Sequence, residues 1–255
     1  MNIKGKTILI TGGGSGIGLE SARQFLAEGA NVIITGRNQT KLDEAKRLFP
    51  SLTVIKSDVE NPEDSKVLFE KVVSLGGIDI LYNNAGVGSP ALNLGIANEQ
   101  ILKNAIYEMN INYFGVIRLN TLFIDMLKSR TESAIINTTS ILSLVPALEE
   151  PTYSATKTAL SFYTRTLRKN LEILGSNVKV FELLPPVVAT EMTAQRNDKK
   201  MTPGQLVKAL ISGIKKDQFT IRVGDAKLLY FVSRFFPKLA FNLVNPKKIY
   251  ASLKQ

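Results

Sequence analysis

Neither cysteine nor histidine occurs anywhere in this sequence of 255 residues. Without cysteine there are no disulfides and no thiolate chemistry. Without histidine there is no imidazole general base, no Ser-His-Asp triad and no ordinary zinc site, so no metal is expected. Proton chemistry therefore falls to Tyr, Lys, Asp or Glu. Long apolar runs are missing too. No stretch approaches the ~20 residues of a membrane-spanning helix. The first apolar run, 7–10, is too short for a secretion signal and leads straight into glycines. A cytoplasmic protein is the expectation. The length suits one domain around one core, and an apolar content of 44% fits the soluble globular class.

Acidic residues are scarce in one region only. Residues 199–255 carry 12 Lys/Arg against 2 Asp/Glu, whereas residues 1–198 carry 20 of each. The net charge of +10 thus belongs entirely to the C-terminal fifth of the chain.

What is present alternates. Short β-branched runs at 7–11, 32–35, 52–57, 78–83, 134–139, 178–184 and 219–223 read as buried strands. Amphipathic segments at 17–28, 39–48, 62–75, 99–128, 152–174 and 203–216 read as helices. Such alternation predicts an α/β fold: a single doubly wound, Rossmann-like domain with a seven-stranded, mostly parallel sheet and helices on both faces. Its connections should be right-handed. The domain is expected over 1–224, with a basic, apolar extension over 225–255.

In such sheets ligands bind beyond the carboxyl ends of the strands. The first strand ends in Gly12-Gly13-Gly14-Ser15-Gly16-Ile17-Gly18, ahead of a helix. Glycines there let backbone N–H groups approach a pyrophosphate, and the helix N-terminus adds partial positive charge. A P-loop is disfavoured, because no Gly-Lys-Ser/Thr follows. At the end of the second strand an acid would hold the ribose 2′-OH of NAD, and an arginine would suit the 2′-phosphate of NADP. Gly36 stands in the acidic position and Arg37 beside it, so NADP is preferred and NAD is the alternative. Arg37 as a solvated loop residue is the plainer reading. Asp58 and Val59 end the third strand, where Asp58 either contacts the adenine or serves as a turn acid.

Tyr153 and Lys157 are four residues apart in a predicted helix and face the same way. Bringing a tyrosine from ~10 to neutrality needs about 4 kcal/mol, roughly what an ammonium at ~4 Å supplies in a partly screened site. The pair therefore suits proton transfer. The spacing alone is common, and a packed Tyr beside a surface Lys is the usual explanation.

The glycine-rich turn, Asn83-Asn84-Ala85-Gly86 after strand four, Ser140, and Tyr153-x-x-x-Lys157 occur in an order that resembles the short-chain dehydrogenase/reductase family. The likeness extends from residue 5 to about 224, in the short single-domain form. It implies an NAD(P)-dependent oxidoreductase interconverting a carbonyl and a secondary alcohol. Tyr153 would be the general acid/base, and Lys157 would lower its pKa and bind the nicotinamide ribose. Ser140 would hold the substrate oxygen, and Asn112 a water linking Lys157 to solvent. Asn84, Ala85 and Gly86 would flank the cofactor, with Asn84 chiefly bracing the central strands. Pro185, Val188 and Thr190 would line the nicotinamide end. Plainer readings stand beside these: Ser140 as a loop cap and Asn112 as a satisfied polar residue. The chain has Pro185-Pro186 where the family usually has Pro-Gly, which removes an N–H from that turn. This and the words Ile221-Arg222-Val223-Gly224 and Lys227-Leu228-Leu229-Tyr230 resemble bacterial oxidoreductases of the DltE type.

From 226 to 244 apolar residues occupy nearly every helical face, interrupted at Pro237, with lysines and arginines between them and no acid after Asp225. Packing over the cleft or at a subunit interface is favoured, as a homodimer or homotetramer. Peripheral contact with an anionic membrane is the second reading. Nucleic acid is not expected, because no reading motif accompanies the charge. The loops expected to shape the substrate pocket, 87–98 and 187–202, have no diagnostic composition. A non-catalytic NADP-binding sensor or scaffold is the alternative function; such proteins often lose the Tyr or the Lys, and both are present here.

Overall fold

Strand and helix alternate as β1 (Thr7–Thr11), α1 (Gly16–Ala27), β2 (Asn31–Gly36), α2 (Gln39–Leu48), β3 (Thr53–Lys56), α3 (Pro62–Ser74) and β4 (Ile80–Asn83) in a computed structural model of the chain. Then follow α4 (Glu99–Met109), α5 (Gly115–Lys128), β5 (Ser133–Thr138), α6 (Pro151–Ile173), β6 (Val178–Leu184), α7 (Pro203–Lys215), β7 (Thr220–Arg222), α8 (Asp225–Phe235) and α9 (Pro237–Val244). The structure describes residues 1–195, 199–250 and 253; parts of the expected substrate loop and of the extension's end lie outside the described residues.

The strands form one sheet in the order β3-β2-β1-β4-β5-β6-β7. Every described pairing is parallel, so the sheet is wholly rather than mostly parallel. The order reverses between β1 and β4, which places a crevice beyond their carboxyl ends. Along β1, side chains alternate between two cores. Ile8 and Ile10 pack with Phe25 of α1 and Leu206 and Leu210 of α7. Leu9 packs with Leu68 of α3 and Leu119 and Phe123 of α5 on the other face. Both faces of the sheet are therefore covered, as an all-parallel sheet requires.

Helix starts follow local chemistry. Asn38, Asn61 and Asn98 each cap the following helix by accepting a backbone N–H, and Thr202 does so with Gln205 in a capping box. Pro62, Pro151 and Pro203 sit in the first turn, where a missing N–H costs nothing. The single helix expected over 99–128 is broken in register by a π-helical turn at Asn110–Phe114. Such turns insert one extra residue into a helix and re-aim its side chains. Among the described residues, no helix is long and apolar enough to cross a membrane.

The extension folds back on the domain. Leu229 and Ala240 are buried against Val145, with Val232, Phe241 and Val244 beside Ile141 and Leu144. Asn245 fastens this contact: its Oδ1 accepts from Leu148 N (2.7 Å) and its Nδ2 donates to Pro146 O (3.0 Å).

Candidate active site

A cleft of about 520 Å³ runs along the carboxyl edge of the sheet, from Arg37 past the glycine turn to Tyr153. Gly12, Gly14, Ser15, Gly16 and Ile17 line its floor at the N-terminus of α1. Gly12 has φ +65°, a backbone conformation that a side chain would strain. Gly18 is not on the cleft surface: a Cβ there would lie 2.2 Å from Gly12 O, so it allows α1 to approach the turn.

The turn is tied to β4. Thr11 Oγ1 accepts from the backbone N–H groups of Asn84 and Ala85, both at 3.0 Å. Asn84 Nδ2 returns a bond to Thr11 O at 3.0 Å. Asn84, Ala85 and Gly86 also line the cleft. Thr11 was not singled out in the sequence; its place at the end of β1 beside the switch point is the available signal.

At one end of the cleft stand Arg37, Asp58 and Val59. Arg37 Nη1 donates to Tyr107 Oη at 2.9 Å. Asp58 lines the cleft, and its Oδ1 accepts from Glu60 N (3.0 Å), the bond expected of a turn acid. Val59 is buried, and its carbonyl accepts from Arg118. Lys41, in the first turn of α2, also lines this end and pairs with Glu191 across the cleft. Lys41 was missed because only the fold brings α2 beside the glycine turn.

At the other end α6 presents Tyr153 and Lys157. Lys157 Nζ donates to Thr138 O at 3.0 Å and lies 5.6 Å from the centroid of the Tyr153 ring. Lys157 as a residue is 3% exposed. Burial disfavours the charged form and brings its pKa down to about 8. Lys157 thus remains mostly charged at neutral pH. Ser140 follows β5, lines the cleft, and accepts from Leu142 N at 3.1 Å through its Oγ. It therefore caps a loop, as the plainer reading held, while facing the cleft.

Asn112 stands behind the cleft wall, within the π-helical turn. Its Oδ1 accepts from Val87 N (2.9 Å), and its Nδ2 donates to Val87 O (2.9 Å) and Thr156 Oγ1 (3.1 Å). A Cβ built on Gly86 would lie 3.2 Å from Asn112 Oδ1 and 3.3 Å from Lys157 Nζ, so both groups converge on that glycine. Pro185, Val188 and Thr190 line the cleft beyond β6. Thr190 sits across from the glycine turn, with its Cγ2 3.1 Å from a Cβ built on Gly16. Pro186 does not disturb this wall, because Val187 O and Ala189 N pair with Met201 and keep the segment extended.

The family model for short chain dehydrogenases matches residues 6–201. The chain is 32% identical to the uncharacterized oxidoreductase DltE of Bacillus subtilis, over 85% of this chain and 87% of that protein. Its fold resembles a short chain dehydrogenase from Burkholderia cenocepacia solved in complex with NADP, with a TM-score of 0.84 at 25% identity, covering 96% of this chain and 99% of the other. A short chain dehydrogenase/reductase from Burkholderia phymatum, solved with NAD, shares the fold at a TM-score of 0.84 and 20% identity, over 94% and 96% of the two chains.

Proposed function

The chain belongs to the short-chain dehydrogenase family of NAD(P)-dependent oxidoreductases, and on that premise we propose that it interconverts a carbonyl and a secondary alcohol with NADP(H). The observation that carries this proposal is the buried Lys157 ammonium, held on Thr138 O beside Tyr153 at one end of a cleft floored by the glycine turn.

The lining fits a dinucleotide. Backbone N–H groups at Ser15–Ile17 and the start of α1 suit a pyrophosphate, and Asp58, Val59, Asn84, Ala85 and Gly86 border the path between the ends. Pro185, Val188 and Thr190 would face the nicotinamide. The preference for NADP rests on Gly36 in place of an acid and on the cations Arg37 and Lys41 at that end of the cleft. The bound cofactor supplies or accepts the hydride.

Every other step belongs to side chains. In reduction Ser140 Oγ donates a hydrogen bond to the carbonyl and fixes its direction. Tyr153 Oη gives its proton to the substrate oxygen, and in oxidation takes it back. The positive charge of Lys157 favours the phenolate that remains after transfer. Asn112 is a positioning residue: it clamps Val87 and leaves one Oδ1 lone pair for a water in line with Lys157. For assembly as a homodimer or homotetramer, exposed Leu102, Ile106, Phe114 and Phe162 on α4, the π-helical turn and α6 supply apolar surface.

Incubating the protein with NADPH or NADH and a panel of ketones and aldehydes tests this. At least one carbonyl should be reduced, with NADPH preferred. Cofactor binding without turnover on any of them would replace the enzyme by a nucleotide sensor or scaffold.

A further inference from the structure

The packing of α8 and α9 buries one side of each helix and leaves the other without cover. Leu228, Phe231 and Phe235 follow one another at helical spacing on α8, and Leu239 and Leu243 do so on α9, with Phe236 at the junction. Each of these six is more than half exposed. The buried contacts, Leu229 and Ala240, lie on the side that faces Val145. An apolar surface of this size without an internal role marks an interaction site.

The charges around it select the partner. Lys227 and Arg234 are exposed on α8, Lys238 on α9, and Lys247 and Lys248 just beyond it. No Asp or Glu occurs from 226 to 255. A second copy docking here by two-fold symmetry would bring the same patch against itself, so cations would meet cations at its rim. An anionic lipid surface has the opposite requirement. Phenylalanines and leucines enter the acyl boundary while lysines and arginines remain at the headgroups.

We propose that α8 and α9 form a docking surface for an anionic lipid bilayer. Asn245 bonds to Pro146 and Leu148 and ties these helices to the segment between Ser140 and Tyr153. Ile141 lines the cleft and also belongs to the cluster beneath these helices, so the docked surface lies beside the cleft wall. The proposal does not depend on catalysis.

The full chain is spun with vesicles of phosphatidylcholine, with or without phosphatidylglycerol. It should sediment with the anionic vesicles and be released by salt. Phe231→Ser/Phe235→Ser should remain in the supernatant while keeping the melting temperature and elution volume of the parent. Lys227→Glu/Arg234→Glu/Lys238→Glu, which retains the apolar surface, should lose the preference for phosphatidylglycerol. No sedimentation of the parent chain, or equal sedimentation by the serine variant, would overturn the proposal. So would a shift of the serine variant to a smaller assembly, which would identify the surface as a contact between copies.

Discussion

The α6 wall of the cleft and the α8–α9 extension both depart from the usual distribution of side chains, in opposite directions. In the cleft a lysine is drawn into the interior, where its charge is disfavoured and its pKa falls to about 8. In the extension six large apolar side chains are more than half exposed, so most of their apolar surface stays in water. Neither arrangement helps the fold, and the rest of the domain carries both. Locally unfavourable placements of this kind point to function, and their signs differ with the task. On the proposed function the buried charge serves proton transfer, and on the proposed docking the exposed apolar surface meets a second surface.

Substitutions that remove each departure separate the two, beginning with the largest effect. Lys157→Met should lower carbonyl turnover by about 10²–10⁴, the usual range for losing support of proton transfer. It should also stabilise the fold. A fall from the ordinary lysine value of 10.5 to about 8 corresponds to about 3 kcal/mol against folding at neutral pH. An unpaired Thr138 carbonyl returns ~1–2 kcal/mol of that, so a net gain of about 1–2 kcal/mol is expected in urea unfolding at pH 7. The sign follows from linkage. Between pH 8 and 10.5 the unfolded chain holds the Lys157 proton and the native chain does not, so this residue makes native stability rise with pH in that window. The variant should lack that rise. Turnover of the parent enzyme should fall as pH passes about 8 and Lys157 loses its charge.

Next in size, Arg37→Ala should lower kcat/KM for NADPH by about 10–100-fold and leave NADH nearly unchanged, because a charge-assisted bond to phosphate is worth ~1.5–3 kcal/mol. Equal losses for both cofactors would make Arg37 a structural partner of Tyr107 instead. The smallest effect belongs to the extension. Asn245→Ala removes the bonds to Leu148 and Pro146 and should cost about 1–3 kcal/mol, seen as earlier proteolysis within α9. The cofactor site should remain intact.

The sheet domain was readable because its signals are local. Runs such as Ile8-Leu9-Ile10 set strands within a few residues of where they occur. The glycine turn, Ser140, Tyr153 and Lys157 all border one cleft because the sheet order brings their strand ends together. Other parts left no local trace. The π-helical turn at Asn112 is a one-residue change in hydrogen bonding, invisible in composition. The partner of Lys157 is a backbone carbonyl, which any residue at 138 would provide. Lys41 enters the cleft only through the placement of α2. The extension was ambiguous because apolar residues cover nearly every helical face, and only the docked structure shows which face is spent on Val145 and which is left.

The most direct test of the central claim is Tyr153→Phe, with NADPH binding and carbonyl reduction measured on the same preparation. Loss of only the hydroxyl should leave binding and melting temperature close to those of the parent and reduce turnover by about 10²–10⁴. A variant that binds NADPH and turns over the substrate at the parental rate would contradict the assignment of proton transfer to Tyr153.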